Sequence, residues 1–162
     1  KKQSTNSNRY LRFSLGSEEY AIPLLSVKEV IAVPDITPIP YTPPHFLGIM
    51  NLRGQVISVI DLRLKLNIKS SQSQETAIII CDIHPYCVGI VVDSINSVIT
   101  AKAEELSEKP QIQSTKNTDF ITEIYNNSEN LIVLIDIAKT LDLDDHKAIN
   151  KSLNQGKQVS TN

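Results

Sequence analysis

Glycine is scarce in this sequence, five among 162 residues, and none falls in a Gly-x-Gly-x-x-Gly or Gly-x-x-x-x-Gly-Lys-Ser/Thr run. Such runs let backbone amides wrap a phosphate, so their absence removes the usual nucleotide sites. Histidine is equally sparse. His45 follows two prolines, His84 precedes one and His146 follows Asp144-Asp145 in a polar stretch, so all three are expected in exposed loops. No histidine pair has helical metal spacing, and no Gly-x-Ser-x-Gly elbow is present. The two cysteines, Cys81 and Cys87, flank His84-Pro85, where a turn could bring them face to face across a hairpin. Two buried thiols are expected, because a zinc site built on Cys81, His84 and Cys87 would want a fourth ligand. No metal, no cofactor and no catalytic group is therefore expected.

Long apolar runs are missing as well. The longest, such as Ala77-Ile78-Ile79-Ile80-Cys81, fall far short of the roughly 20 residues that cross a bilayer. The first eight residues, 1–8, are polar and hold no apolar signal core. Sixteen Lys+Arg against eighteen Asp+Glu leave a net charge of -2, with no basic block to track phosphates. A cytoplasmic protein that neither inserts into membrane nor binds nucleic acid is expected. With 41% hydrophobic and 21% charged residues, the chain can bury a core without metals or disulfides.

What the chain does contain is strand periodicity. Leu11, Phe13 and Leu15 alternate with polar residues, Gly16-Ser17-Glu18-Glu19 reads as a turn, and Tyr20-Ala21-Ile22 returns. The spacing of Leu24, Val27, Val30 and Ile31 fits a helical turn or two. Five prolines between Pro34 and Pro44 mark edge strands or loops, yet Ile36, Ile39, Tyr41, Phe46, Leu47, Ile49 and Met50 crowd the same region. Some of these are expected to line a barrel and others to remain exposed for docking. Two apolar runs then meet at Arg53-Gly54, a hairpin tip. Asp61 reads as the cap of a short helix ending near Asn67, and a polar connection, 69–75, as an exposed mobile loop.

Beyond that loop the pattern restarts. Ile22, Leu24, Val27, Val30 and Ile31 match Ile90, Val92, Ile95, Val98 and Ile99 at a constant offset of 68 (90 less 22). Leu11, Phe13 and Leu15 match Ile79, Cys81 and Ile83 at the same offset (79 less 11). The run 56–62 matches 131–137 at 75 (136 less 61), as a longer loop in the second half would require. Asp136 thereby repeats Asp61, and both read as helix caps rather than as an acid and base pair. A duplicated pair of small β units follows, whose binding surface must lie outside their filled interiors. A turn through Asn126-Asn127 and a tail over 144–162, read as disordered despite a weak helical pattern before Gly156, complete the reading.

In order and spacing, the segments Phe13-Ser14-Leu15-Gly16, Glu19-Tyr20-Ala21-Ile22, Val27-Lys28-Glu29-Val30, Pro38-Ile39-Pro40, Gly48-Ile49-Met50-Asn51-Leu52-Arg53-Gly54, Val59-Ile60-Asp61-Leu62-Arg63 and Val88-Gly89-Ile90-Val91-Val92-Asp93 resemble the CheW-like coupling proteins of bacterial chemotaxis. The resemblance implies a mainly β fold of two SH3-like five-stranded barrel subdomains with short helices. It implies one domain over 9–143, with subdomains near 9–75 and 76–143, strands possibly swapped at the join, and flexible tails at 1–8 and 144–162. It further implies a non-enzymatic adaptor, monomeric when free, between the cytoplasmic tip of a chemoreceptor (a methyl-accepting chemotaxis protein) and the regulatory domain of the histidine kinase CheA. Same-family adaptors of type IV pilus twitching share this pattern, and a small β-barrel enzyme is the remote alternative. The resemblance assigns Val27, Glu29, Val30, Arg53, Gly89 and Val98 to the receptor, and Gly48, Ile49 and Asn51 to the kinase. An ion pair between Glu29 and Arg53 is expected from the exposed hairpin tip.

Overall fold

The computed structural model describes residues 8–69, 75–110 and 118–160, the last seven of these by backbone only. Most of the expected N-terminal tail and of the 69–75 loop lies outside those residues. The first half supplies β1 (Arg9–Leu15), β2 (Glu18–Pro23), β3 (Val27–Ala32), β4 (Phe46–Leu52), β5 (Gln55–Asp61) and α1 (Leu62–Lys65). The second supplies β6 (Ala77–Asp82), β7 (Cys87–Val92), β8 (Ser94–Thr100), β9 (Leu106–Glu108), β10 (Ile121–Asn126), β11 (Leu131–Ile135), α2 (Ile137–Thr140) and α3 (Leu143–Ser160). At offsets of 68 and 75 the elements of one half fall on those of the other, β1 on β6 through α1 on α2.

The sheets do not follow the halves. One runs β8-β1-β2-β11-β10-β9 and the other β3-β6-β7-β5-β4, so each takes a hairpin from one repeat and its remaining strands, four and three respectively, from the other. The orders correspond strand for strand, the three-residue β9 being an addition to the first. Parallel pairing of β2 with β11 and of β7 with β5, together with antiparallel pairing of β1 with β8 and of β3 with β6, makes the joins. A cut at 75/76 thus separates sequence repeats but not sheets. The fold is mainly β, with two SH3-like barrel subdomains.

Three apolar clusters match this plan. Met50, Ile57, Val59, Ile78, Ile80 and Val91 fill the five-stranded unit. Ala21, Tyr125, Ile132 and Leu134 fill the six-stranded one. The third cluster takes Leu11, Phe13, Leu15 and Ile22 from one sheet and Ile60, Ile79, Cys81, Val88, Ile90 and Val92 from the other, so it is shared. Strand β6 is buried on both faces, with Ile78 and Ile80 turned to one cluster and Ile79 and Cys81 to the other. That explains its unbroken apolar run.

The helical spacing around Val27 has a different origin. Leu24–Ser26 forms one 3-10 turn, and Val27 begins β3. Val27 lies opposite Cys81 and Val30 opposite Ile79, with the register shifting between Val27 and Glu29. A bulge there puts residues three apart on one face of a strand, which imitates a helix. Strand β8 repeats the device: Ile95 lies opposite Phe13 and Val98 opposite Leu11. The cysteines also differ from expectation. Cys87 pairs with Asp82 and Cys81 with Val88, so the two thiols point to opposite faces, Cys81 buried and Cys87 half-buried.

Asp61 caps α1 as expected, accepting from the amides of Arg63 at 3.0 Å and Leu64 at 3.4 Å. Asn67, at φ 58, ends it, with Asn67 N–H donating to Leu64 O and Ile68 N–H to Arg63 O. Asp136 accepts from Ala138 N at 3.0 Å in the same manner. The first cap also orients Arg63, whose guanidinium forks onto both Asp61 oxygens at 2.9 Å. Its third nitrogen donates to Asp93 Oδ1 at 2.8 Å, and Asp93 Oδ2 accepts from Gly16 N at 2.5 Å. Asp93 follows β7 and Gly16 tips the β1–β2 hairpin, so this network bolts the two sheets together. Hydrogen bonding to Asp61 and Asp93 holds Arg63 above its ordinary pKa despite partial burial.

The disordered tail is not found where it was expected. Residues 143–160 form α3, whose Ala148 and Ile149 join the shared cluster. Asp142 and Asp145 cap it reciprocally, each accepting from the other's amide at 3.0 Å. The buried Asp145 carboxylate also holds Lys65 Nζ at 2.7 Å and His45 Nε2. His146 Nδ1 meets the Tyr86 hydroxyl, so His45 and His146 are half-buried and partnered, and only His84 is exposed. The turn after β10 is closed by Asn127, whose side chain accepts from the amides of Glu129 and Asn130, rather than by an Asn126-Asn127 pair.

Two expectations follow for stability. Replacing Arg63 with Met strands the carboxylates of Asp61 and Asp93 and should cost about 3–5 kcal/mol, read as a fall in urea-unfolding free energy. The second concerns pH. Burial lowers the Lys65 pKa, but its hydrogen bonds to Asp145 and Asp142 outweigh this and the net shift is upward. The Lys65 hydrogen bond leads in holding Asp142 below its ordinary value. A raised lysine stabilises the fold fully below its ordinary 10.5, and loses this as pH climbs through the raised value. A lowered aspartate stabilises above its ordinary 3.8, and loses this as pH falls through the lowered value. Unfolding midpoints of Lys65→Met should therefore vary less than wild type in both windows.

Candidate docking surface

The tip of the β4–β5 hairpin is a two-residue turn with φ 52 at Arg53 and φ 88 at Gly54. Both angles positive define the tight turn that matches strand twist, and glycine at the second place removes its cost. Asn51 Oδ1 fastens it by accepting from Gly54 N at 2.8 Å. Leu52 packs beneath against the inner cluster, and Arg53 stands 70% exposed. Its guanidinium meets the Glu29 carboxylate, the expected pair.

Glu29 lies on β3 and Arg53 at the end of β4, the two outer strands of one five-stranded sheet. Flat, those edges would be about 19 Å apart at roughly 4.8 Å per strand step, so the pair forms only because the sheet curls into a barrel. As an exposed pair it adds about 0–1 kcal/mol. Its consequence is placement, fixing an arginine fork beside the β3 edge.

Val30 and Val98 occupy equivalent places on the two bulged strands, 41% and 43% exposed. Their cross-strand partners, Ile79 and Leu11, both belong to the shared cluster. The valines thus stand beside one core from two sheets, as exposed apolar residues on equivalent strands. Val27 packs against that core and is half-buried.

The remaining expected residues divide. Gly89 is buried, and a Cβ there would lie 2.9 Å from Ile78 Cγ2 and 3.7 Å from Met50 Cε. It is a packing residue inside the five-stranded barrel, so a role toward the receptor would pass through its neighbours rather than through direct contact. Gly48 is buried too, at φ 142, with the site of a Cβ only 2.0 Å from Thr37 O. It lets the chain at Thr37 bond Ile49 in both directions, at 2.8 and 2.9 Å. Ile49 is half-buried against the shared core, and Asn51 is exposed beside the turn it fastens.

Sequence reasoning missed what supports this surface from behind. Asp145, Lys65 and His45 anchor α3 across β4 and β5, and the signal was the Asp142-x-x-Asp145 capping box. Among the described residues no group of three or more His, Cys, Asp or Glu is placed to hold a metal ion. No helix among them is long and apolar enough to cross a membrane.

Two barrels locked through one core, with exposed valines on both sheets and a fixed arginine, define a scaffold. Residues 9–145 match the CheW-like domain, and the chain belongs to that family. It is similar to the chemotaxis protein CheW of Klebsiella aerogenes, 35% identical over 138 residues, which cover 85% of this chain and 83% of that one. Chemotaxis protein CheW of Bacillus subtilis is 37% identical over 133 residues, 80% of this chain and 84% of its own. Among solved structures, the scaffolding protein TtCheW from Thermoanaerobacter tengcongensis superposes with a TM-score of 0.77 at 31% identity, covering 86% and 95% of the two chains.

The two strained glycines should respond differently to substitution. Gly48→Ala drives a methyl into the Thr37 backbone and should destabilise by more than the about 1–3 kcal/mol of backbone strain alone. A Cβ on Gly54 meets nothing within 4 Å, so Gly54→Ala should cost only the strain. Equal losses in urea titrations would contradict this account of Gly48.

Proposed function

We infer that this chain is a non-catalytic chemotaxis adaptor in the cytoplasm, coupling the cytoplasmic tip of a chemoreceptor to the regulatory domain of the histidine kinase CheA. Family membership supports the adaptor role. The observation that supports the rest is the pair of half-exposed valines, Val30 and Val98, whose cross-strand partners lie in one shared core and which suit the apolar face of an incoming helix. The kinase is assigned to the first barrel around β4, where Asn51 is exposed, Ile49 is half-exposed and Gly48 sets the strand. Arg53 lies between these regions, its guanidinium largely in solvent and preorganised by Glu29 for a partner carboxylate.

Substitutions at exposed positions separate binding from folding. Arg53→Ala should change unfolding free energy by less than about 1 kcal/mol while weakening receptor or kinase association roughly tenfold, about 1.4 kcal/mol. Retention of both partners at wild-type levels in a pull-down would sink this role. Val98→Asp puts a charge on this surface and should abolish receptor docking with the fold intact. Calorimetry with a receptor cytoplasmic fragment decides it, and unchanged affinity would place the receptor elsewhere. Val27→Asp is the poorer probe, since Val27 packs on the shared core and both fold and docking would suffer.

A further inference from the structure

Among the described residues three other than glycine have positive φ: Tyr41 at 63, Arg53 at 52 and Asn67 at 58. Arg53 serves a hairpin and Asn67 ends a helix. Tyr41 does neither, and such a conformation is unusual for a bulky side chain. Of the apolar residues in its stretch, Ile39, Phe46 and Met50 are buried and Ile36, Leu47 and Ile49 half-buried, whereas Tyr41 is 97% exposed. Neither the backbone nor the core gains from a tyrosine here.

The surroundings nevertheless fix the backbone that carries the ring. Prolines at 40, 43 and 44 stiffen the segment, and Thr42 Oγ1 donates to Ile39 O at 2.9 Å. Lys151 reaches across from α3, donating to Pro40 O at 2.9 Å with its ammonium 5.4 Å from the Tyr41 ring centre. A residue whose strained backbone is fixed while its ring is presented to solvent has the character of a binding anchor, since the backbone ordering cost is met before a partner arrives. Tyrosine suits this use, offering a rigid ring to an apolar slot and a hydroxyl to an acceptor at its end.

We propose that Tyr41 is an aromatic anchor that seats in an apolar slot of a partner protein, with Lys151 beside it favouring an acidic rim on that slot. Resting on the function inferred above, the partner is the kinase's regulatory domain, because the chain just before Tyr41 is bonded through Thr37 to Ile49 of β4. The anchor extends the kinase-facing surface and takes no part in receptor docking.

Calorimetry of Tyr41→Asn and Tyr41→Phe against the CheA regulatory domain and a receptor fragment tests this. Asparagine tolerates positive φ, so Tyr41→Asn should keep or raise the unfolding midpoint while binding the kinase domain at least tenfold more weakly. Tyr41→Phe should stay within about threefold of wild type, and receptor affinity should not change in either variant. Wild-type kinase affinity in Tyr41→Asn would overturn the anchor. So would a lowered midpoint in both Tyr41→Asn and Tyr41→Gly, which would assign the ring to the fold. Failure of the wild-type protein itself to bind the kinase domain would overturn the functional reading, a distinct result.

Discussion

The parallel hydrogen bonding of β2 with β11 and of β5 with β7 is the constraint on which the rest depends. Each bond set joins a strand of one repeat to a strand of the other, so neither repeat completes a sheet by itself. The exchange also creates the shared core, because Phe13, Leu15 and Ile22 of one sheet close against Ile79, Val88 and Ile90 of the other. Burying each such side chain is worth about 1.5–3 kcal/mol, and here that gain is available only when both halves are present. The Arg63 network then fixes the relative position of the sheets with directional bonds, which apolar packing alone does not supply.

A scaffold built in this way presents its surface without adjustable hinges. Val30 and Val98 stand on different sheets, yet each pairs with a residue of the same core, so their separation is set by packing rather than by a linker. Arg53 is placed by three local devices: the glycine that follows it, the Asn51 side chain and the Glu29 carboxylate. The supporting groups lie behind, with Asp145 drawing α3, Lys65 and His45 together under β4 and β5. Surface residues are therefore free to serve partners while buried polar groups hold the frame.

Much of this was legible from residue spacing. The offsets of 68 and 75 mark repeated elements, and the caps at Asp61 and Asp136, the Arg53-Gly54 turn and the Glu29–Arg53 pair follow from residue types. Strand exchange entered only as a possibility implied by the family resemblance, because alternation reveals which face a residue occupies and says nothing about its neighbouring strand. The bulge at Val27 hid a strand behind a helical period. Helix α3 escaped because Asp145 and Ser152, both buried, count as solvent-facing in any polarity pattern. The packing role of Gly89 was hidden for a related reason: sequence shows that a side chain is absent but not which neighbours require its absence. For Tyr41, only backbone geometry distinguishes an anchor from a core aromatic.

The central claim is that one rigid chain holds receptor and kinase together at the same time. Co-sedimentation of receptor cytoplasmic fragments with the kinase regulatory domain, in the presence and absence of this protein, addresses it directly. The kinase domain should enter the pellet only when the protein is added. A kinase domain that pellets equally without it, or that stays in the supernatant with it, would contradict the account.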